Sequence, residues 1–126
     1  MTLRPYQYVA LRCVPRVERE EFVNVGVVLL CEEDGFLDAA CAVDEVRLLA
    51  LAPDLDLGAL HRALAFVESV CRGDGSAGDV ATGTLGNRFG FLKAPRSTVV
   101  QPGPVHGGLT ADPAADLLRL RDVLVG

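Results

Sequence analysis

The sequence predicts a single α+β domain: a small antiparallel β-meander with helices packed on one face and a long Gly/Pro-rich segment over the other face or edge. Three observations predict this class. Two runs of alternating strand-forming residues open the chain, an apolar stripe with helical spacing follows, and a Gly/Pro-rich stretch precedes a capped helix start. With 126 residues, half of them hydrophobic, the chain is long enough to bury one core.

Three strands are predicted in the N-terminal part of the chain. Residues 6–14 alternate between two faces and end at Pro15, which cannot donate to a β-ladder. Residues 22–31 form the second strand and pair antiparallel with the first. Residues 32–35 end in Asp-Gly, which is typical of a hairpin turn with positive φ, and residues 36–42 form a weaker third strand. A meander this small needs a helical cover.

The sequence predicts three helices that cover the sheet. The first runs over residues 45–52, and the second runs from 57 to 72 with Asp56 as its N-cap and an apolar stripe towards the sheet. The third helix begins at residues 112–113, where Asp-Pro supplies a capping carboxylate and a proline at the first helical position.

The Gly/Pro-rich segment between the second and third predicted helices is less regular. Residues 73–84 are expected to be a mobile loop, whereas the aromatic residues within 88–92 should pack against the domain. Residues 97–100, which begin with Ser97, form a short strand candidate at a sheet edge. His106 lies in a stiff turn rich in proline and glycine.

The second strand carries two residues that a plain core strand would not have, Asn24 and Gly26. With strict alternation, one face is wholly apolar and comprises Val23, Val25, Val27, Leu29 and Cys31. The other face comprises Phe22, Asn24, Gly26, Val28 and Leu30. The amide and the gap in packing make this second face the place where we expect a site.

The candidate binding residues share this second sheet face or could reach it from the Gly/Pro-rich segment. They are Tyr8, Arg12, Phe22, Asn24, Gly26, Arg88, Arg96 and His106. Tyrosine and arginine are enriched in interface hot spots, so the face suits a partner protein. The alternative, which we prefer, is that the chain's own segment 85–105 covers the face. Cys41 is expected on this side as well.

No catalytic, cofactor or metal motif is found. The four cysteines form no C-x-x-C pair and are expected to be small buried residues. Residues 73–78 match G-x-G-x-x-G but follow a helix rather than a strand, so a nucleotide site is not indicated. A net charge of −5 argues against nucleic acid as a partner. We expect neither a signal peptide nor a membrane span, and therefore a cytoplasmic protein.

The chain resembles a bacterial family, the domain of unknown function 3037. The resemblance rests on the Tyr6-x-Tyr8 strand, the Arg12-x-x-Pro15 strand exit, the Glu-Phe-Val-Asn-Val-Gly-Val block at 21–27, and the helix start at 107–113. It implies a small protein without an assigned activity. Because members are often encoded beside a HipA-like serine/threonine kinase, it also implies such a kinase as a partner.

The leading hypothesis is therefore a cytosolic binding or accessory protein. The alternative is a small enzyme with a cysteine- or histidine-based site between the sheet face and the 85–108 loop. A third interpretation is self-association through an exposed edge of the meander.

Overall fold

The computed structural model describes residues 2–96 and 98–125. Over these residues the chain forms a five-stranded antiparallel sheet and four α-helices. The strands are β1 (Arg4–Cys13), β2 (Val23–Cys31), β3 (Phe36–Cys41), β4 (Val100–Pro102) and β5 (His106–Thr110). The helices are α1 (Glu45–Leu51), α2 (Leu57–Arg72), α3 (Leu85–Lys93) and α4 (Pro113–Val125). The predicted α+β class and the antiparallel meander are confirmed.

Strand β1 lies in the middle of the sheet. It pairs with β2 on one side, and β3 pairs with the far side of β2. On the other side of β1, β4 pairs with its C-terminal end and β5 with its N-terminal half. Between these two strands the Gly103 N–H donates to the Ala10 carbonyl at 2.8 Å, so β4 and β5 act as one interrupted edge. The β5 strand, which begins at His106, was predicted as a turn.

A β-bulge divides β2 into two parts. Leu11 pairs with Gly26, but the next residue, Arg12, pairs with Asn24, so Val25 has no partner of its own. The extra residue reverses the alternation. Val25 and Val28 therefore face the same core, whereas Val27 faces the opposite side. The prediction that one face of β2 holds all five apolar residues from Val23 to Cys31 is wrong for this reason.

Helices cover both faces of the sheet rather than one. The larger core combines one sheet face with α1, α2 and α3, and includes Leu48, Leu60 and Phe89. The smaller core lies on the opposite face, where Leu117 and Leu120 of α4 pack on the sheet. The predicted position of the Gly/Pro-rich segment at an edge agrees with β4 and β5, but the second face is covered by α4.

The capped helices begin where the sequence predicts. The Asp44 and Asp56 side chains each accept a hydrogen bond from a backbone N–H of the first turn, at 3.0 Å in both cases. Asp112 accepts from the Ala115 N–H at 3.2 Å and so caps α4.

Helix α3 was not predicted, because residues 88–92 were expected to pack against the domain without a defined secondary structure. The N-cap of α3 is Thr84. Two short 3-10 turns lie within 73–84, at Gly75–Ala77 and Asp79–Ala81, and the mobility of that segment stays a prediction. Ser97 lies outside the described residues.

Candidate functional site

Five of the predicted site residues share the α4 side of the sheet, from the middle of β1 to its C-terminal end. We call this surface the Arg12 face, and it comprises Tyr8, Arg12, Phe22, Asn24 and His106. The β-bulge makes the arrangement possible. It turns Val25 into the larger core and leaves Asn24 directly opposite Arg12. Residues opposite each other in an antiparallel pair share a face, so these two side chains are neighbours.

The guanidinium of Arg12 is held between a ring and a glycine. Its Cζ lies 4.1 Å from the centroid of the Phe22 ring. Gly103 approaches Arg12 so closely that a Cβ at position 103 would lie 3.1 Å from Nε. Phe22 remains 46% exposed, so the aromatic half of this clamp is open to solvent. A stacked guanidinium loses less conformational entropy on binding than a free one.

Arg12 has no counter-charge among the described residues. Its Nε is buried without a hydrogen-bond partner, and the ion pairs formed within residues 2–96 and 98–125 involve other arginines. Because Nε is the buried nitrogen, Nη1 and Nη2 form the end of the guanidinium that an anion can reach. Two parallel N–H donors in one plane match a carboxylate or phosphate group.

Asn24 joins the site to the end of α4. Its Nδ2 donates to the Leu124 carbonyl at 3.0 Å, which satisfies one of the carbonyls left free at a helix C-terminus. The Oδ1 atom of the same amide is buried without a partner. The Leu124 carbonyl belongs to α4, so α4 and not the 85–105 segment packs beside Asn24 on this face.

Tyr8 and His106 lie on the other flank of Arg12. They pair across β1 and β5, and their ring centroids are 5.3 Å apart. Tyr8 is half-buried and packs against the smaller core, whereas His106 is exposed. The flank is therefore aromatic and polar rather than apolar.

Gly26 does not belong to the Arg12 face. It lies opposite Cys41 on the side of the larger core, where a Cβ would come within 3.0 Å of the Cys41 Sγ and 3.1 Å of the Ala40 carbonyl oxygen. Gly26 therefore allows close packing of β2 on β3. Cys41, which was expected on the second face, packs against the larger core because it lies opposite Gly26.

Arg88 and Arg96 also lie away from the Arg12 face. Arg88 donates from Nη1 to the carbonyls of Val70 and Cys71, at 3.0 and 2.7 Å, and so closes the end of α2. Arg96 follows α3 on the larger-core side and stacks on Phe91, with Cζ 4.6 Å from the ring centroid. Both were predicted because the Gly/Pro-rich segment could bring them to the second face; the structure places them on the side of the larger core instead.

A groove beside the Arg12 face was not predicted from the sequence. It has a volume of about 650 Å³ and continues from Phe22 to α1; its lining comprises Glu20, Glu21, Phe22, Val23, Arg47, Ala50 and Leu51. Leu51 is 38% exposed. Exposed apolar residues at the end of a short helix could have indicated this surface.

Three of the four cysteines are poor nucleophiles. Burial raises the pKa of the Cys41 thiol and of the Cys71 thiol to about 12, and it also raises the pKa of Cys13. A thiolate is the reactive form, so these side chains stay unreactive near neutral pH. Within the described part of the chain, no group of three or more His, Cys, Asp or Glu side chains could hold a metal ion.

The Arg12 face combines three chemical features. It offers an uncompensated cation, an exposed aromatic ring and an adjoining groove that has apolar residues beside Glu20, Glu21 and Arg47. The cation and the ring suit an anionic group beside an apolar one. None of the helices in the described residues combines the length and the apolar character that a membrane span needs.

The chain matches a known protein family. The family model described as "Protein of unknown function (DUF3037)" matches residues 8–125, which is nearly the whole chain and includes every residue of the Arg12 face. No curated protein and no solved structure matches the chain. A match of this extent shows the family: the chain belongs to the proteins of unknown function DUF3037.

Proposed function

We propose that this protein is a non-catalytic binding or accessory protein that recognises a partner protein through the Arg12 face. The observation that carries the proposal is the clamped guanidinium of Arg12, which has no counter-charge among the described residues. Half-buried cations are normally paired. A pre-positioned arginine without a pair is the kind of residue that becomes a hot spot when a partner supplies the anion.

The partner offers an acidic group next to an apolar side chain. The acidic group binds Nη1 and Nη2 of Arg12, and the apolar side chain packs on Phe22 and in the groove that leads to Leu51. The charge of the whole chain, −5, does not attract anions. Recognition therefore depends on this local arrangement and not on a general positive field.

The partner that we propose is a HipA-like serine/threonine kinase, because the family to which the chain belongs is often found encoded beside such a kinase. The resemblance supports the identity of the partner, and the chemistry of the Arg12 face supports the mode of binding. The identity of the partner and the mode of binding can be disproved separately. If a different protein binds through an acidic contact with Arg12, the proposed mode of binding holds and the kinase is not the partner.

The alternative function, a small enzyme with a cysteine- or histidine-based site, is less well supported. The raised thiol pKa values argue against a cysteine nucleophile. His61 is exposed and lies 2.9 Å from Glu45, and His106 contacts an aromatic ring rather than a nucleophile. We therefore prefer binding to catalysis.

The test is an affinity measurement with the purified kinase encoded in the same neighbourhood. We expect Arg12→Gln and Phe22→Ala each to weaken binding by about tenfold or more, since hot-spot residues contribute on that scale. Matched controls are Arg62→Gln, which removes an exposed arginine of α2, and Phe66→Ala, which removes a partly exposed ring on the larger-core side. Equal affinity for all four variants would contradict the proposed surface.

A second variant separates the position of Arg12 from its charge. Gly103→Ala keeps the arginine but places a Cβ 3.1 to 3.3 Å from three guanidinium atoms, so the guanidinium must shift by a few tenths of an ångström. We expect weaker binding without any change in net charge. If Gly103→Ala binds as tightly as the unchanged chain while Arg12→Gln does not, then Arg12 contributes by charge alone.

A further inference from the structure

We propose that an apolar cavity on the larger-core side of the sheet binds a small apolar carboxylate, with Arg96 as the group that holds its charge. The cavity lies between α2, α3 and β4 and has a volume of about 240 Å³. Its lining comprises Leu11, Ala63, Phe66, Val67, Leu92, Arg96, Thr98, Val100 and Pro102. We call it the Arg96 cavity.

The interior of the Arg96 cavity is apolar and rigidly placed. Leu11 comes from the central strand, Val67 from α2 and Leu92 from α3, and all three are buried in the larger core. Phe66 lies at the rim, partly exposed, and contacts the Phe91 ring edge-on with the centroids 6.1 Å apart. Such walls favour an apolar tail and offer no hydrogen bonds to it.

Arg96 is held at the cavity by its own helix end. Its Nη2 donates to the Phe91 carbonyl and its Nε donates to the Ala94 carbonyl at 3.3 Å, while the guanidinium stacks on the Phe91 ring. These contacts leave Nη1 available. The ion pairs formed by the described residues do not include Arg96.

The charge pattern selects an anion. Arg96 is the charged residue among the nine that line the cavity, and the lining contains neither Asp nor Glu. The Thr98 hydroxyl, which donates to the Val100 carbonyl at 2.7 Å, keeps lone pairs but adds no charge. A cation would meet Arg96 unfavourably, and a neutral apolar molecule would leave the guanidinium without an ionic partner.

The volume limits the size of the ligand. An apolar cavity of about 150 Å³ is known to accept benzene, which has six non-hydrogen atoms. A cavity of about 240 Å³ therefore suits a ligand with roughly eight to ten such atoms, for example a short-chain fatty acid or an arylacetic acid. This site is on the opposite side of the sheet from the Arg12 face, so the inference does not depend on the proposed function.

The experiment is an amide-detected NMR titration of the full chain with hexanoate, and with hexanol as the neutral probe of equal tail length. We expect hexanoate to shift the signals of residues near Leu92 and Val100, with a dissociation constant of about a millimolar or tighter. Hexanol should bind at least about tenfold more weakly, because it cannot form a charge-assisted hydrogen bond with Arg96.

Two variants test the site itself. Arg96→Gln should weaken hexanoate binding by about tenfold or more and leave hexanol binding unchanged. Ala63→Leu should fill the cavity and abolish the binding of both probes. Arg62→Gln is the matched control, because it removes an exposed arginine of α2 next in sequence to Ala63. Equal binding of hexanoate and hexanol, or equal hexanoate binding by Arg96→Gln and Arg62→Gln, would overturn the proposal.

Discussion

Gly26 and Gly90 are both glycines within regular elements, yet their surroundings differ. A Cβ at Gly26 would meet the Cys41 Sγ at 3.0 Å and the Ala40 carbonyl oxygen at 3.1 Å. A Cβ at Gly90, in the middle of α3, would have no heavy atom within 4 Å. The glycine of β2 is therefore required by packing, whereas the glycine of α3 only weakens a helix.

We expect Gly26→Ala to destabilise the fold by about 1 to 3 kcal/mol, because the methyl group overpacks the contact between β2 and β3. Gly90→Ala should stabilise the fold by about 0.5 to 1 kcal/mol, since alanine replaces glycine inside a helix. Urea denaturation of the two variants measures both changes. A neutral effect of Gly26→Ala would mean that β3 can move away from β2 at no cost.

The thiols supply a second residue-scale prediction. We expect Cys13, Cys41 and Cys71 to react with a thiol reagent at pH 8 only at the rate at which the protein opens, because burial raises the pKa of all three. Labelling followed by mass spectrometry, with and without denaturant, measures this. Rapid labelling of Cys41 in the folded protein would contradict it and revive a cysteine-based site.

At the scale of elements, a helix was predicted correctly where its N-cap residue and its apolar stripe indicate the same bounds. Helix α2 was predicted from Asp56 and from an apolar repeat, and its observed bounds, Leu57–Arg72, agree with the predicted 57–72. Helix α3 has a cap at Thr84 but contains two glycines and two phenylalanines within nine residues. Such residues have low helix propensity, so tertiary packing of Phe89 and Leu92 decides the structure there.

The bulge in β2 has no sequence signature strong enough to predict. Glycine in a strand can mark a bulge, and Gly26 does lie next to the unpaired Val25. Alternation alone places Asn24 and Gly26 on one face, and one extra residue is enough to separate them. The candidate site could thus be predicted for Arg12, Phe22 and Asn24, whereas the assignment of Gly26 required the register.

The junction between β5 and α4 offers an element-scale prediction. Thr110 is 1% exposed; its hydroxyl donates to the Asp116 carboxylate and accepts from the Asp112 N–H at 3.0 Å. Thr110→Val leaves the Asp116 carboxylate and the Asp112 N–H without the hydroxyl as a hydrogen-bond partner. We therefore expect a loss of about 1 to 3 kcal/mol in the free energy of unfolding.

Urea denaturation measures the loss for Thr110→Val. Thr82→Val is the control, because its hydroxyl donates to the Asp79 carbonyl on an exposed turn. That change should stay within about 0.5 kcal/mol. Equal effects of the two substitutions would show that α4 does not depend on the Thr110 contacts.

At the scale of the whole molecule, the sheet is buried on both faces, whereas helices were predicted on one face only. The run from Val27 to Cys31 is apolar without interruption. A continuous apolar run is typical of a strand with both faces covered, whereas a strand with one wet face alternates. The signal for a second helical layer was thus present, and α4 supplies that layer.

The pH dependence of stability follows from groups in both layers. Asp116 has a pKa below its usual range because the Thr110 hydroxyl donates to it, with Arg119 nearby, so its contribution is lost as the pH falls below about 4. The buried thiols have raised pKa values, so their contribution is present below pH 9 and is lost as the pH rises towards about 12. We expect a plateau of unfolding free energy from about pH 5 to 8, with a fall on each side.

Urea midpoints measured from acid to alkaline pH, with a reductant present, test this curve. Asp116→Asn should flatten the acid side alone, because it removes the carboxylate that the Thr110 hydroxyl stabilises in the folded state. Cys41→Ala should make the fall on the alkaline side smaller and leave the acid side unchanged, because it removes one buried thiol with a raised pKa while Cys71 remains. A midpoint that stays level well above pH 9 would show that the thiols ionise within the folded protein without cost, and that the larger core admits water around Cys41.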